Sequence, residues 1–254
     1  ALVGAYSASA DGVSYSGAAY GIPFNREAWN EKSKLTASDK AADDQFGTSV
    51  SVDGDVALVG TAYADPDGAS DAGAAYVFER SAGGTNAWGQ VAKLTASDKA
   101  EGNCFGHAVN VAGDVALIGA YAASPGGVFI AGAAYVFERD AGGTNAWGQV
   151  AKLTALDKAA SDWFGWSVSL AGDVALVGAV FADPSGLSEA GAAYIFERNA
   201  GGTNTWGQVT KLTAPDKAAS DWFGTSARVA GDVALIGVYQ ADPGGLTNAG
   251  AVYV

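Results

Sequence analysis

Methionine is absent from the 254 residues, cysteine and histidine occur once each, and only 14 lysines and arginines stand against 27 aspartates and glutamates. A lone cysteine, Cys104, can form no internal disulfide, so packing alone must stabilise the fold; a cytosolic chain and a bacterial secreted one both fit that. The net charge of −13 sets the whole field against phosphate backbones and anionic lipid, and nucleic acid is not an expected partner. No stretch approaches the roughly 18 uncharged apolar residues of a membrane helix, so no membrane insertion is expected. Ala1 opens directly in an apolar, strand-like segment with no basic leader, which together with the missing methionine predicts a chain trimmed upstream.

Apolar residues make up 49% of the chain, enough for a sizeable core, and glycine is abundant at 36 residues. The glycines reveal a repeat. Phe-Gly recurs with its glycine at Gly47, Gly106, Gly165 and Gly224, each 59 residues after the last. Trp29, Trp88, Trp147 and Trp206 keep the same step, as do Gly60, Gly119, Gly178 and Gly237 at the ends of the VALVG-type runs.

Each period carries four strand-like runs bounded by turn residues. In the second copy FGTSVSV (residues 46–52) leads through Asp53-Gly54, a two-residue hairpin turn, into VALVG (56–60). After the loop ADPDGASDA (64–72) come GAAYVFE (73–79), a Gly83-Gly84-Thr85-Asn86 turn and WGQVAKLT (88–95). The second and third runs are apolar on both alternating faces, as in a sheet covered on both sides. The first is rich in Gly, Ser and Thr, which suits a crowded innermost strand; the fourth is amphipathic, which suits an outermost one. These properties predict an all-β protein, a β-propeller of four-stranded antiparallel blades. A parallel β-helix has shorter repeats and no such hairpin signals.

The runs FGTSVSV, GDVALVG, GAAYVFER and WGQVAKLTASD resemble the FG-GAP repeat of integrin-α-type propellers over essentially the whole chain. The resemblance implies blades running from inner to outer strand, and a secreted or cell-surface protein concerned with adhesion or ligand binding. It also implies calcium loops of the Asp-x-Asp-x-Asp-Gly type between first and second strands. Here those connections are only Asp53-Gly54-Asp55, Ala112-Gly113-Asp114, Ala171-Gly172-Asp173 and Ala230-Gly231-Asp232, too short to wrap a cation that takes six to eight oxygens. The family's usual metal sites are expected to be missing.

Counting runs gives three strands, three complete four-stranded blades and three strands again, hence about five blade positions with incomplete terminal blades. A single propeller domain over residues 1–254, or a section of a longer array, accounts for this count.

A symmetric array offers each side chain several times over, so chemistry is sought where the repeat breaks. Cys104 and His107 break it, but two side chains on one short strand with no third orienting group make a poor nucleophilic dyad, and no catalytic residues are assigned. The loop with Asp65, Asp67 and Asp71 is the candidate for weak calcium binding. Its counterparts share only Pro then Gly, the mark of a tight turn, and no cofactor is firmly expected. The third set precedes the Phe-Gly pairs: Trp163 and Trp222, with Trp166 nearby, beside Asp162 and Asp221. Indole faces next to carboxylates suit sugar rings; the competing role is filling the space between blades. Trp29, Trp88, Trp147 and Trp206 recur in every outer strand and read as packing residues.

The resulting expectation is a non-catalytic binding module, adhesin-like or lectin-like, contacting a glycan or an extracellular protein through its loops. The alternative is a structural role in which incomplete terminal blades let chains self-associate into a filament or layer, an exposed edge strand serving as template.

Overall fold

A computed structural model describes residues 1–22 and 33–254. Trp29 lies outside the described residues. Among the described residues five antiparallel sheets account for the strands, and there is no α-helix. The first sheet has three strands, β1 (Leu2–Ala5), β2 (Ala18–Gly21) and β3 (Ser33–Leu35). Three four-stranded sheets follow, each in sequence order. They are β4 (Ser49–Asp53) to β7 (Trp88–Leu94) through β5 (Val56–Thr61) and β6 (Ala74–Arg80), then β8 (Ala108–Ala112) to β11 (Gly148–Leu153) through β9 (Val115–Ala120) and β10 (Ala133–Glu138), then β12 (Phe164–Ala171) to β15 (Gly207–Leu212) through β13 (Val174–Ala179) and β14 (Ala192–Glu197). The last sheet again has three strands, β16 (Phe223–Ala230), β17 (Val233–Val238) and β18 (Ala251–Tyr253). The three, four, four, four, three pattern read from the sequence is thus the pattern of the fold.

The described residues pack as two compact units, one of Ala1–Ile118 with Phe137–Gln149 and one of Gly119–Val136 with Val150–Val254. Each has its own core. In the first unit Phe46, Tyr76 and Phe78 meet Ala19, Val59 and Leu35, with Phe46 at 5.6 Å from the Tyr76 ring and 5.9 Å edge-on to Phe78. In the second, Phe223, Leu176, Val229 and Ile236 do the same work. Full burial of one such side chain is worth about 2–3 kcal/mol. Strands β5 and β6 are buried on both faces except at the end of β6, as expected of a sheet sandwiched by its neighbours.

The Phe-Gly pair marks where one repeat meets the one before it. The Phe46 N–H donates to the Ser16 carbonyl at 3.1 Å and that of Phe105 to Ala72 at 3.0 Å; in the second unit Phe164 donates to Ala131 at 3.0 Å and Phe223 to Ala190 at 2.9 Å. A parallel bridge results each time, pairing the phenylalanine with Gly17, Gly73, Gly132 or Gly191. The glycine at the end of the second strand allows this approach: a Cβ on Gly60 would lie 2.0 Å from the Gly106 carbonyl oxygen, and one on Gly119 2.0 Å from that of Gly165. Serines of the first strands complete the seam. Ser49 Oγ donates to the Gly106 carbonyl at 2.8 Å and Ser167 Oγ to that of Gly224 at 2.7 Å.

The hairpin between first and second strands is displaced by one residue from the Asp53-Gly54 position that the sequence suggested. Asp53 still pairs with Val56, so the turn residues are Gly54, at φ 54°, and Asp55. Asp53 remains in the strand because its carboxylate accepts from the Gly113 N–H at 2.7 Å, while Asp55 turns outward to Arg80 at 2.9 Å. Trp88, Trp147 and Trp206 pack under arginines at or just beyond the end of the preceding strand, with Arg80, Arg139 and Arg198 lying 5.4, 5.3 and 5.2 Å over their rings.

Candidate ligand-binding face

The turn before each first strand follows one plan. Gln45, Cys104, Trp163 and Trp222 all sit at left-handed φ, between 55° and 61°, and each carbonyl accepts from the N–H three residues on. The backbone therefore demands this conformation whatever side chain is present, although a bulky residue there costs about 1–2 kcal/mol. In the first unit the two positions are filled by Gln45 with Thr48 and by Cys104 with His107; in the second by Trp163 with Trp166 and by Trp222 with Thr225.

A β-bulge then fixes the second indole. Phe164 pairs with Ala179 and Ser167 with Gly178, so Gly165 and Trp166 are extra residues looped out of the ladder, Gly165 at φ 94°. Trp163 and Trp166 consequently stack, with centroids 5.3 Å apart and planes at 29°.

These indoles belong to a continuous run of six rings. Tyr121 lies 5.0 Å from Trp163 and 5.2 Å from Trp166, Phe181 lies 4.4 Å from Trp163 and 5.1 Å from Trp222, and Trp222 stacks on Tyr239 at 6.0 Å. Tyr121, Trp163, Trp166, Phe181 and Trp222 are half-buried and Tyr239 is 65% exposed, so the run is open to solvent along its length. Tyr121, Phe181 and Tyr239 escaped the sequence reading. Their signal was the variation at the two positions just after the second strand, which read Tyr6, Ala62, Tyr121, Val180 and Tyr239 at the first and Ser7, Tyr63, Ala122, Phe181 and Gln240 at the second.

The two aspartates beside the indoles point the other way. Asp162 and Asp221 are buried, and each carboxylate accepts from a backbone N–H of its own turn, Ala159 and Ala218, both at 2.6 Å. Burial pushes the Asp162 carboxyl above its ordinary value, the Ala159 hydrogen bond offsetting only part of that. Asn103 occupies the same buried position in another repeat, which marks the role as turn closure. The carboxylate that does reach an indole is Glu189, whose Oε2 accepts from Trp222 Nε1 at 3.3 Å.

Asp65, Asp67 and Asp71 are not gathered for calcium. Asp65 Oδ1 accepts from the Asp71 N–H at 2.8 Å, and Asp67 is paired with Lys99 at 3.0 Å. Among the described residues no group of three or more His, Cys, Asp or Glu side chains is placed to hold a metal. The Asp65 contact is a general feature of the repeat: Asp183 accepts from the Glu189 N–H at 2.7 Å, Asp242 from Asn248 at 2.6 Å, and Ser124 Oγ from Ile130 at 3.0 Å. These acceptors close the loop over its Pro-x-Gly turn, which explains why the position is acidic or a serine.

Cys104 is buried, and its thiol donates to the Gly102 carbonyl at 3.5 Å. Burial lowers the His107 imidazole to about 4, so it is neutral at pH 7. Among the described residues no helix is long and apolar enough to cross a membrane.

Sheets of this kind, repeated with a fixed seam between a Phe-Gly pair and the glycine before the preceding third strand, define an array of propeller-type blades. A model of the FG-GAP repeat matches residues 29–78, 88–137, 147–196 and 206–254, and the chain belongs to the FG-GAP repeat family. No curated protein matches it.

Proposed function

We propose that this chain is a non-catalytic carbohydrate-binding module of a secreted or surface-exposed protein, and that it holds glycan against Trp163, Trp166 and Trp222. The observation that carries this reading is the solvent-open run of six rings in the second unit. Four repeats share one turn geometry, yet only two place indoles on it, and three further rings from just after the second strands extend the same face. A purely structural need would recur in every copy. Half-exposed indoles and tyrosines offer apolar faces to the C–H side of a pyranose while their N–H and O–H groups serve its hydroxyls.

Titration of purified chain with oligosaccharides, followed by tryptophan emission and by calorimetry, tests the reading. Saturable binding with a shift in emission supports it. A blank result across neutral and charged glycans, alongside binding to an extracellular protein, would replace it with protein adhesion; growth of the particle with concentration would replace it with self-assembly.

A further inference from the structure

Each of the first four loops between second and third strands carries a residue at left-handed φ inside its Pro-x-Gly turn or, in the first repeat, at the matching place. These are Asp11, Asp67, Gly126 and Ser185, with φ of 51°, 55°, 65° and 60°. The next turn carries a lysine at the same place each time, Lys40, Lys99, Lys158 or Lys217, again in 59-residue steps. In the first unit the two acids neutralise their lysines, Lys40 with Asp11 at 3.1 Å and Lys99 with Asp67 at 3.0 Å. In the second unit the acid is replaced by Gly126 and Ser185, and among the described residues Lys158 and Lys217 have no ion-pair partner.

The replacement coincides with the change of the turn residue. Where the acid is present, the position five residues after the lysine is Gln45 or Cys104; where it is missing, that position is Trp163 or Trp222. The turns and loops involved are joined directly, since the Ser161 N–H donates to the Phe129 carbonyl at 2.9 Å and the Ser220 N–H to that of Ser188 at 2.8 Å. Two free ammonium groups therefore stand on the same turns that carry the indoles, in a protein whose net charge of −13 would ordinarily keep anions away.

Building on the glycan reading above, we propose that the aromatic face takes an anionic glycan, a chain of pyranose rings bearing carboxylate or sulfate groups. The indoles stack on the rings, and Lys158 and Lys217 receive the charged substituents. The shared chemistry is an anionic oxygen cluster on a sugar, and an ammonium on a flexible stem accommodates either kind.

The repeat itself supplies the decisive variant. Gly126→Asp with Ser185→Asp installs the acids that the first unit already tolerates at the same φ, pairs both lysines, and leaves every ring in place. Wild type and this double variant are titrated with polygalacturonate, dextran sulfate and neutral dextran, at low and at high salt, with thermal unfolding as the folding check. Wild type is expected to bind one or both polyanions at least about tenfold more tightly than neutral dextran, to lose that preference at high salt, and to lose it in the double variant. Preference for polygalacturonate identifies carboxylate, and preference for dextran sulfate identifies sulfate. Equal binding of all three polymers, or a preference unchanged in the folded double variant, overturns the anionic assignment and leaves the glycan reading standing. Binding of none overturns both. Should the double variant unfold, Lys158→Gln with Lys217→Gln at the surface carries the same expectation.

Discussion

Trp222 donates from its indole Nε1 to Oε2 of Glu189 across 3.3 Å, joining a turn of one repeat to a loop of the preceding one. The bond fixes the plane of a ring that also touches Phe181 and Tyr239, so a half-exposed indole is held in one orientation before any ligand arrives. Preorganisation of this kind reduces the cost of binding.

Trp222→Ala is therefore expected to weaken glycan binding by about 2 kcal/mol, roughly thirtyfold in Kd, as for other aromatic anchors. Glu189→Gln keeps an acceptor at the same place and should cost less than about tenfold. Calorimetric titration of both variants checks this; a Trp222→Ala protein that folds and binds like wild type removes Trp222 from the site.

The seam between repeats gives a second test, on stability. Gly119→Ala would place a methyl 2.0 Å from the Gly165 carbonyl oxygen, and backbone must move to admit it. A loss of about 3 kcal/mol is expected in urea unfolding. Gly172 has nothing within 4 Å of its Cβ position but sits at φ 56°, so Gly172→Ala should lose only about 1–2 kcal/mol. Equal losses in the two variants would mean that the backbone relaxes cheaply around the added methyl, and that the close approach does not account for the glycine at 119.

The blade plan was legible because it rests on alternation, turn residues and a strict period, all of which are local. The site was only half legible. Trp163, Trp166 and Trp222 stood out as breaks in the repeat, but the bulge that stacks Trp166 on Trp163 lies in pairing register, and Tyr121 and Phe181 come from just after the second strands, distant in sequence. Asp162 and Asp65 show a use that the sequence does not announce. A carboxylate near a loop glycine looks available to ligand or metal, whereas both are spent on backbone N–H groups, a use that sequence spacing alone does not separate from ligation.

Arg139 offers a test of the outer edge. Its Nε donates to Asp114 at 2.6 Å, its Nη1 to Glu79, and its guanidinium covers the Trp147 ring. Burial works against its charge, but the two carboxylates outweigh this and raise it above its ordinary value. Arg139→Lys retains the charge and loses the planar fork, so a cost of about 1 kcal/mol is expected at low salt and less at high salt. A salt-independent loss would attribute the effect to packing on Trp147.

Two aspartates of one turn should respond to pH in opposite senses. Burial raises the folded value of Asp162 above the ordinary 3.8, so its contribution to stability is fully present below that value and is lost as pH rises through the raised one. Asp162→Asn, which reproduces the residue found at Asn103, should thus gain on wild type at neutral pH and lose that gain in acid. Burial also works against Asp157, but the hydrogen bond and charge of Lys211, 2.7 Å away, outweigh it and hold the carboxyl below 3.8. Its contribution is present above the ordinary value and disappears as pH falls through the lowered one, so Asp157→Asn should be the less stable protein at neutral pH and approach wild type in acid. Urea unfolding of both variants at about pH 7 and about pH 3 separates these trends. If the two differences from wild type moved in the same direction between those conditions, burial and ion pairing could not be the respective causes, and the turn would have to be titrating as one coupled unit.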